Sequence, residues 1–225
     1  MFANSRQVES TQTGPHPRLR ETVRKHLAAP YLRRPSDAGR EVFAGIADQL
    51  AQAPFILDTG CGTGASTLVL AREFPDRLVL GVDKSAARLA TGRRLIDGSA
   101  APANVGLLHC ELVDFWQLAA AAGLRCERQF LLYPNPWPKP EHLKRRWHAH
   151  PVLPAILALG GAIELRTNWR VYAEEFAEAL GLGLAGIDAS FSEHTADESL
   201  TPFELKYAAS GHALWRVEAC VNSAR

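Results

Sequence analysis

The chain has 225 residues, 47% hydrophobic and 22% charged, which is enough apolar material for a single folded core. No stretch approaches 18 consecutive apolar residues, and the amino-terminal MFANSRQVES lacks the apolar region of an export signal, so we expect no membrane insertion or export and a cytoplasmic location. Four cysteines lie far apart with no C-x-x-C pair, which predicts neither a disulfide framework nor a zinc site, and we expect no metal.

The formal net charge of +1 is unevenly distributed along the chain. Residues 1–40 contain eight lysines and arginines against three acidic residues, a net charge of +5, so the rest of the chain carries −4. With several prolines and little apolar periodicity, residues 1–37 are predicted to form a basic, partly disordered arm before a folded domain over residues 38–225. Such an arm is typical of nucleic-acid binders, although solvated terminal tails often have the same bias.

From residue 38 onward, helix-like and strand-like segments alternate. Strands are predicted at FILDTG, LVLGVD, VGLLHCE, RQFLLYP, GAIELRT, GIDASFS and ALWRVEACV. Helices are predicted at AGREVFAGIADQLAQ, ASTLVLAREF, SAARLATGRRLIDG, residues 112–122, residues 141–159 and WRVYAEEFAEALG. Apolar strands that are each followed by a helix predict an α/β fold with a doubly wound, mostly parallel seven-stranded sheet. Ligands of such sheets bind beyond the carboxyl ends of the strands.

A glycine-rich turn follows the first predicted strand. In DTGCGTG, Gly60, Gly62 and Gly64 allow the backbone to turn tightly and to approach a ligand closely. Asp58 precedes this turn, and Asp83 ends the next strand, where a carboxylate can accept hydrogen bonds from ribose hydroxyls. The pattern indicates a nucleoside cofactor, and the G-x-G-x-G spacing disfavours NAD and FAD. The alternative is a tight turn with an aspartate that caps the next helix.

A proline-rich and basic segment, FLLYPNPWPKPEHLKRR, follows the fourth predicted strand. Its prolines stiffen the chain, so that Asn135 and Trp137 are presented with little freedom to lose on binding. Pro140 suits the first turn of a helix, where the following cations oppose the helix dipole and therefore do not serve stability. The cluster Lys144–Arg146 indicates a phosphate-bearing partner, and a solvated run of charge is the alternative.

Several motifs occur in order: PNPWPK with EHLKRR, RTNWRVYAEEF and LTPFELKYAASGHALW. In these motifs the chain resembles the bacterial tRNA (guanine-N7)-methyltransferase family, whose members methylate a guanine of tRNA with S-adenosylmethionine (AdoMet). The matches run from about residue 55 to residue 218. The resemblance implies the class I AdoMet-dependent methyltransferase fold, AdoMet as cofactor, tRNA as partner, and a monomer or homodimer.

The resemblance also implies site residues by position. It implies cofactor contacts for Asp58, Gly60, Gly62, Gly64, Asp83, Asn104 and Glu111. It implies a catalytic position for Asn135 and substrate contacts for Lys139, Lys144, Arg145, Arg146, Asn168, Thr201 and Glu204. From the residues alone, Thr201 and Glu204 instead form a capping box at the start of a helix, and that helix is predicted to end at Gly211.

The family has aspartate at two positions where this chain has Asn135 and Asn168. A carboxylate can accept from guanine N1–H and N2–H₂ together, whereas an amide complements an edge with one acceptor and one donor. Three functions stay open: tRNA guanine N7 methylation, AdoMet and RNA binding by a divergent paralogue that has little activity or another RNA target, and small-molecule methylation. The basic arm and the KRR cluster disfavour the small-molecule alternative.

Overall fold

A computed structural model describes residues 4–98, 101–183, 189–196 and 199–221 and confirms the predicted sheet of seven strands. The strands are β1 (Phe55–Thr59), β2 (Val79–Asp83), β3 (Val105–His109), β4 (Cys126–Leu132), β5 (Gly161–Thr167), β6 (Ser190–His194) and β7 (Leu214–Val221). The α-helices are α1 (Leu19–Leu27), α2 (Asp37–Ala51), α3 (Ala65–Glu73), α4 (Ala86–Asp97), α5 (Leu112–Ala121), α6 (Leu153–Ala158), α7 (Arg170–Gly183) and α8 (Pro202–Ala209). Two short 3-10 helices span Pro140–Arg145 and Trp147–Ala149.

The strand order is β3-β2-β1-β4-β5-β7-β6, with β1 to β5 parallel and β7 antiparallel to both of its neighbours. The chain changes direction across the sheet between β1 and β4, which makes their carboxyl ends the expected ligand site. There Thr59 is level with Leu131 of β4 and with Val82 of β2. The turns after these three strands therefore meet at one edge.

Helices cover both faces of the sheet. The larger hydrophobic cluster includes Leu19 of α1, Phe43 of α2, Trp116 of α5 and Phe176 of α7. In the smaller cluster, Leu70 of α3 packs with residues of strands β1, β2 and β4. All five residues of β1 and all five of β2 are buried, as expected for parallel strands between two helical layers.

The prediction of one helix over residues 141–159 is wrong. That segment contains two 3-10 helices and the short helix α6, with extended backbone at Arg146 and His150, where ψ is 136° and 145°. His150 precedes Pro151, and a residue before proline is held away from helical geometry. The helical periodicity of the side chains did not reveal these breaks.

The amino-terminal segment is in contact with the domain. Leu19 and Val23 on one face of α1 are buried in the larger hydrophobic cluster, and Arg20 pairs with Glu178 of α7. The segment that the sequence predicts to be partly disordered thus includes a packed helix, and the domain boundary at residue 37 stays a prediction. Residues 186–188 of the predicted strand GIDASFS lie outside the described residues, and β6 begins at Ser190.

Candidate active site

The glycine turn after β1 has the backbone conformation that its glycines allow. Gly60, Gly62 and Gly64 have φ of 68°, 59° and 71°, in the left-handed region that L side chains rarely adopt. A Cβ on Gly64 would lie 2.9 Å from Leu107 Cδ2, so the Leu107 side chain would have to shift to admit one. A Cβ on Gly62 would meet only Arg88, at 3.8 Å. The space over Gly62 is therefore open to a ligand.

Asp83, at the end of β2, stabilises this turn through hydrogen bonds to its carboxylate. Its Oδ2 accepts from Gly62 N–H at 3.0 Å and its Oδ1 from Ser85 N–H at 2.7 Å. Arg88 Nη2 lies 3.4 Å from Oδ1, and the Arg88 side chain is about half exposed. Oδ1 thus has two partners, whereas Oδ2 keeps one lone pair that can accept from a ribose hydroxyl, although the side chain is only 5% exposed. Arg88 is a neighbour of the turn that the sequence motifs did not indicate.

Asp58 is buried inside β1 beneath the glycine turn. Its Oδ2 accepts from the hydroxyls of Ser66 and Thr67, both at 2.7 Å. Burial raises the pKa of Asp58 to about 6, the two hydroxyl hydrogen bonds oppose that rise, and the nearby Asp83 adds to it. Asp58 thus joins the turn to the start of α3 instead of lining an open surface.

The other two predicted cofactor residues lie at opposite edges of the sheet. Glu111 follows β3, precedes α5, and is partly exposed 3.5 Å from Lys84 Nζ, at the same edge as the glycine turn. Asn104 precedes β3 and lies at the amino-terminal edge, where its amide donates to the carbonyls of Ala71, Phe74 and Arg77. The structure therefore does not bring Asn104 to the site, and its role is to hold the α3–β2 connection.

A cavity of about 620 Å³ opens at the carboxyl ends of β4 and β5. The turn over residues 133–137 forms one wall, and its two ends, Tyr133 and Trp137, have φ of 49° and 46°. Non-glycine residues in this region store strain and concentrate at functional sites. The residues that line the cavity are Arg6, Gln7, Val8, Glu9, Tyr133, Pro134, Asn135, Pro136, Pro138, Asn168 and Tyr207.

The structure brings Asn135 and Asn168 together at this cavity. Asn135 is exposed, and its Oδ1 accepts from Trp137 N–H at 3.2 Å, which fixes the side chain within the turn. Asn168 directly follows β5, and its amide lies 3.0 Å from Nδ1 of His212. The family resemblance indicated these two asparagines, whereas His212 and the amino-terminal wall of residues 6–9 were not predicted.

The basic cluster divides into exposed and buried residues. Lys139, Lys144 and Arg145 are exposed, and the Arg145 guanidinium lies 4.7 Å from the centre of the Trp137 ring. Arg146 is fully buried against Trp169 and pairs with Glu175 of α7 at 2.6 Å. The prediction that Arg146 contacts substrate is therefore not supported by its position, because no part of its side chain reaches solvent.

Arg146 belongs to a polar cluster with the buried residues Glu175 and His148 and the half-buried residues Gln12 and His16. Glu175 accepts from Arg146, His148, the Gln12 amide and His16 N–H at 2.6 to 2.8 Å. Burial raises the pKa of Glu175, but His148 and Arg146 outweigh burial and lower it to about 2. Burial is the largest influence on His148 and lowers its pKa, whereas the hydrogen bond to Glu175 and the charge of Glu175 raise it.

This Glu175 cluster connects the amino-terminal segment to the cavity wall. Arg146 donates to the carbonyls of Trp137 and Lys139 and to the Gln12 side chain. Ser10 Oγ donates to the carbonyl of Pro138 at 2.6 Å. The buried ion pair of Arg146 and Glu175 thus holds two walls of the cavity in place, and no sequence pattern predicted it.

Thr201 and Glu204 are buried and do not line the cavity. Thr201 Oγ1 accepts from Glu204 N–H at 3.1 Å, as the capping box predicts. The Glu204 carboxylate accepts from Arg166 at 2.8 Å, from His194 and from Leu200 N–H. These contacts anchor α8, whose Tyr207 faces the cavity, so the two residues support the wall from behind.

Among the described residues, no group of three or more His, Cys, Asp and Glu side chains is arranged to hold a metal ion. Within the same part of the chain, no helix is both long and apolar enough to cross a membrane.

Comparisons with solved structures find the same fold. The crystal structure of the 16S rRNA methyltransferase KamB matches with a TM-score of 0.57 and 16% identity, over 84% of this chain and 95% of that one. A mutant of the 16S rRNA (adenine(1408)-N(1))-methyltransferase from Catenulisporales acidiphilia, solved with its cosubstrate SAM, matches with a TM-score of 0.54 and 17% identity, over 81% and 92% of the two chains.

Sequence comparisons give more specific relatives. The tRNA (guanine-N(7)-)-methyltransferase of Ectopseudomonas mendocina (strain ymp) is 28% identical over 176 residues, 72% of this chain and 71% of the relative. The protein of the same name from Burkholderia cenocepacia (strain HI2424) is 30% identical over 169 residues, 72% of this chain and 65% of the relative. Residues 52–217 match the Methyltransf_4 family, described as "Putative methyltransferase". This range contains the glycine turn and the cavity residues from Tyr133 to Tyr207. The chain belongs to this methyltransferase family.

Proposed function

We propose that the protein is an AdoMet-dependent tRNA (guanine-N7)-methyltransferase. The observation that carries this proposal is the cavity between the turn after β4 and the end of β5, at the same edge of the sheet as the glycine turn that follows β1. The match to relatives named tRNA (guanine-N(7)-)-methyltransferase over 72% of the chain supports the choice of substrate.

The residues around the glycine turn fit AdoMet. The open space over Gly62 admits a ligand against the backbone, and Asp83 Oδ2 keeps one lone pair for a ribose hydroxyl. Glu111, partly exposed at the same edge, is available to the adenine side of the nucleoside. When bound, AdoMet supplies a methyl group on a positively charged sulfur, and guanine N7 can accept it through a lone pair that carries no proton.

The chain therefore needs no general base for this reaction. Its residues hold the base in line with the methyl donor, exclude water and provide electrostatics that favour the cationic base. The turn over residues 133–137 suits this task because prolines and the hydrogen bond from Trp137 N–H to Asn135 restrict its motion. Asn135 orients the base and adds no negative charge.

The tRNA backbone binds the exposed cations beside the cavity. Arg6 lines the cavity, and Arg145 stacks on Trp137 at the end of the cavity turn. Lys139, directly after Pro138 of the cavity wall, and Lys144, directly before Arg145, are the other exposed cations of this segment. Phosphate contacts of this kind set the position of the nucleic acid and carry no sequence information. In the chain, the cavity turn is followed within a few residues by Lys144 and Arg145. This position supports the proposal that tRNA bound to these cations can place a nearby base in the cavity.

The main alternative is a protein that binds AdoMet and RNA with weak activity, or that modifies another base. Asn135 and Asn168 motivate it, because both replace carboxylates of the family. Restoring both with Asn135→Asp and Asn168→Asp should raise guanine methylation if guanine is the substrate. Unchanged guanine methylation in the double variant, with AdoMet binding intact, would favour another target.

The proposal can be tested in cells that lack 7-methylguanosine in their tRNA. Expression of this chain should restore 7-methylguanosine in bulk tRNA, measured by mass analysis of the nucleosides, and the Gly62→Ala variant should not. Expression without any 7-methylguanosine would refute the proposal. We further propose a cytoplasmic location, where tRNA is modified, and a monomer or homodimer, which light scattering of the purified protein would determine.

A further inference from the structure

A short hydrogen-bonded relay connects the cavity to the amino-terminal segment. The Asn168 amide nitrogen lies 3.0 Å from His212 Nδ1, and His212 Nε2 lies 2.9 Å from the carbonyl oxygen of Ser5. His212 is 8% exposed, and its ring stacks on Tyr207 with centroids 5.3 Å apart. Asn168 is half-buried and lines the cavity.

The chemistry of the relay fixes which atom of Asn168 meets a ligand. A backbone carbonyl oxygen only accepts hydrogen bonds, so His212 must carry a proton on Nε2. In the neutral ring, Nδ1 is then an acceptor, and Asn168 must donate one of its two amide hydrogens to it. The Asn168 carbonyl oxygen and the second amide hydrogen remain for a ligand in the cavity.

This remaining edge distinguishes the two purines. Guanine offers a donor at N1 and an acceptor at O6, whereas adenine offers an acceptor at N1 and a donor at N6. An amide in one orientation can bond to both atoms of only one of these edges, and turning the amide over exchanges the preferred base. The orientation of Asn168 therefore decides between guanine and adenine.

We propose that His212 is a specificity-determining positioning residue, which holds the Asn168 amide in the orientation that complements the N1–H and O6 edge of guanine. This inference rests on the proposed function and deepens it. It also explains how the chain reads guanine without the carboxylate that its family has at this position. The backbone carbonyl of Ser5 sets the His212 tautomer, so the amino-terminal segment takes part in base selection.

The first test measures the tautomer without any reaction. In ¹⁵N NMR spectra of the histidine-labelled protein at about pH 8, His212 should have a protonated Nε2 and an unprotonated Nδ1. Protonation at Nδ1 would overturn the proposal. Because this measurement needs no substrate, it stays informative if the protein does not methylate guanine, an outcome that would refute the proposed function alone.

The second test measures base selection. The variant His212→Phe keeps a ring on Tyr207 and removes both nitrogens, so the ratio of guanine to adenine methylation in tRNA should fall about tenfold or more. Ser5→Ala keeps the carbonyl and should leave that ratio unchanged. An unchanged ratio in a folded His212→Phe protein would overturn the proposal.

A double variant separates positioning from a purely structural effect. In Asn168→Asp both side-chain oxygens accept, so there is no amide orientation to fix. Adding His212→Phe to Asn168→Asp should therefore leave the ratio of guanine to adenine methylation unchanged, although the same substitution lowers it in the Asn168 protein. An equal fall in both backgrounds would contradict the proposed role of His212.

Discussion

At the scale of single residues, burial decides which polar side chains can meet a ligand. The sequence predicts Lys144, Arg145 and Arg146 as one basic cluster, yet only the first two are exposed. The counter-charge of Arg146 is Glu175, 29 residues later on α7, and no local pattern predicts that pairing. The asparagines of the cavity were predictable because they occupy defined positions in family motifs.

The ion pair between Arg146 and Glu175 gives a prediction on stability. Glu175→Gln leaves the buried guanidinium without a counter-charge, and we expect a loss of about 3–5 kcal/mol in the free energy of unfolding. The matched control is Glu174→Gln on the same helix, whose partner Arg170 is 63% exposed, and it should cost less than about 1 kcal/mol. Chemical denaturation measures both, and equal small losses would contradict a structural role for the cluster.

Asp58 gives a prediction on pH. Its pKa is raised from 3.8 to about 6 by burial, so between these values the folded protein binds more protons than the unfolded chain. The contribution of Asp58 to stability therefore falls as the pH rises through this window. The unfolding free energy of the wild type minus that of Asp58→Asn should decrease by up to about 3 kcal/mol from pH 4 to pH 7. A difference that does not change with pH would contradict the raised pKa.

At the scale of elements, the sequence predicted the strands better than the connections. Strand β5 has the predicted bounds, Gly161–Thr167, although it contains the charged residues Glu164 and Arg166, which pair with each other. The segment 141–159 was mispredicted because its periodicity is helical while Pro151 enforces extended backbone at the preceding residue. The glycine turn was predictable, because the G-x-G-x-G pattern places glycine at three positions whose backbone conformation only glycine adopts easily.

The glycine turn gives a prediction on cofactor binding. Gly62→Ala adds a Cβ over the turn at φ of 59°, and AdoMet affinity should fall at least about tenfold. Gly123→Ala is the matched control, because its φ is 67° and its added Cβ meets no atom within 4 Å. Both should lose about 1–2 kcal/mol of stability, but only Gly62→Ala should lose AdoMet in calorimetric titrations. Equal affinities would contradict the assigned site.

At the scale of the whole molecule, the amino-terminal segment and the domain form one cavity. Composition alone predicts a partly disordered basic arm, because it shows the charges of the segment but not its tertiary contacts. The Glu175 carboxylate accepts hydrogen bonds from the Gln12 amide and from His16 N–H. The exposed Arg145 stacks on Trp137, at the end of the turn that forms one wall of this cavity, and the exposed Lys144 precedes it in the chain.

This arrangement gives a prediction on tRNA binding. Lys144→Ala and Arg145→Ala should each weaken tRNA binding and reduce the slope of log affinity against log salt concentration by about 0.7–1. Arg93→Ala removes an exposed cation from α4, which covers β2 and β3, and should leave the slope unchanged. If all three variants changed the slope equally, tRNA would not follow the surface beside the cavity.

The central claim is that the cavity holds a guanine of tRNA for methylation at N7. It is tested most directly by transfer of a labelled methyl group from AdoMet to unmodified tRNA with the purified protein, followed by identification of the labelled nucleoside. We predict 7-methylguanosine as the product. A labelled nucleoside other than 7-methylguanosine, or no labelled nucleoside from a protein that binds both AdoMet and tRNA, would contradict the claim.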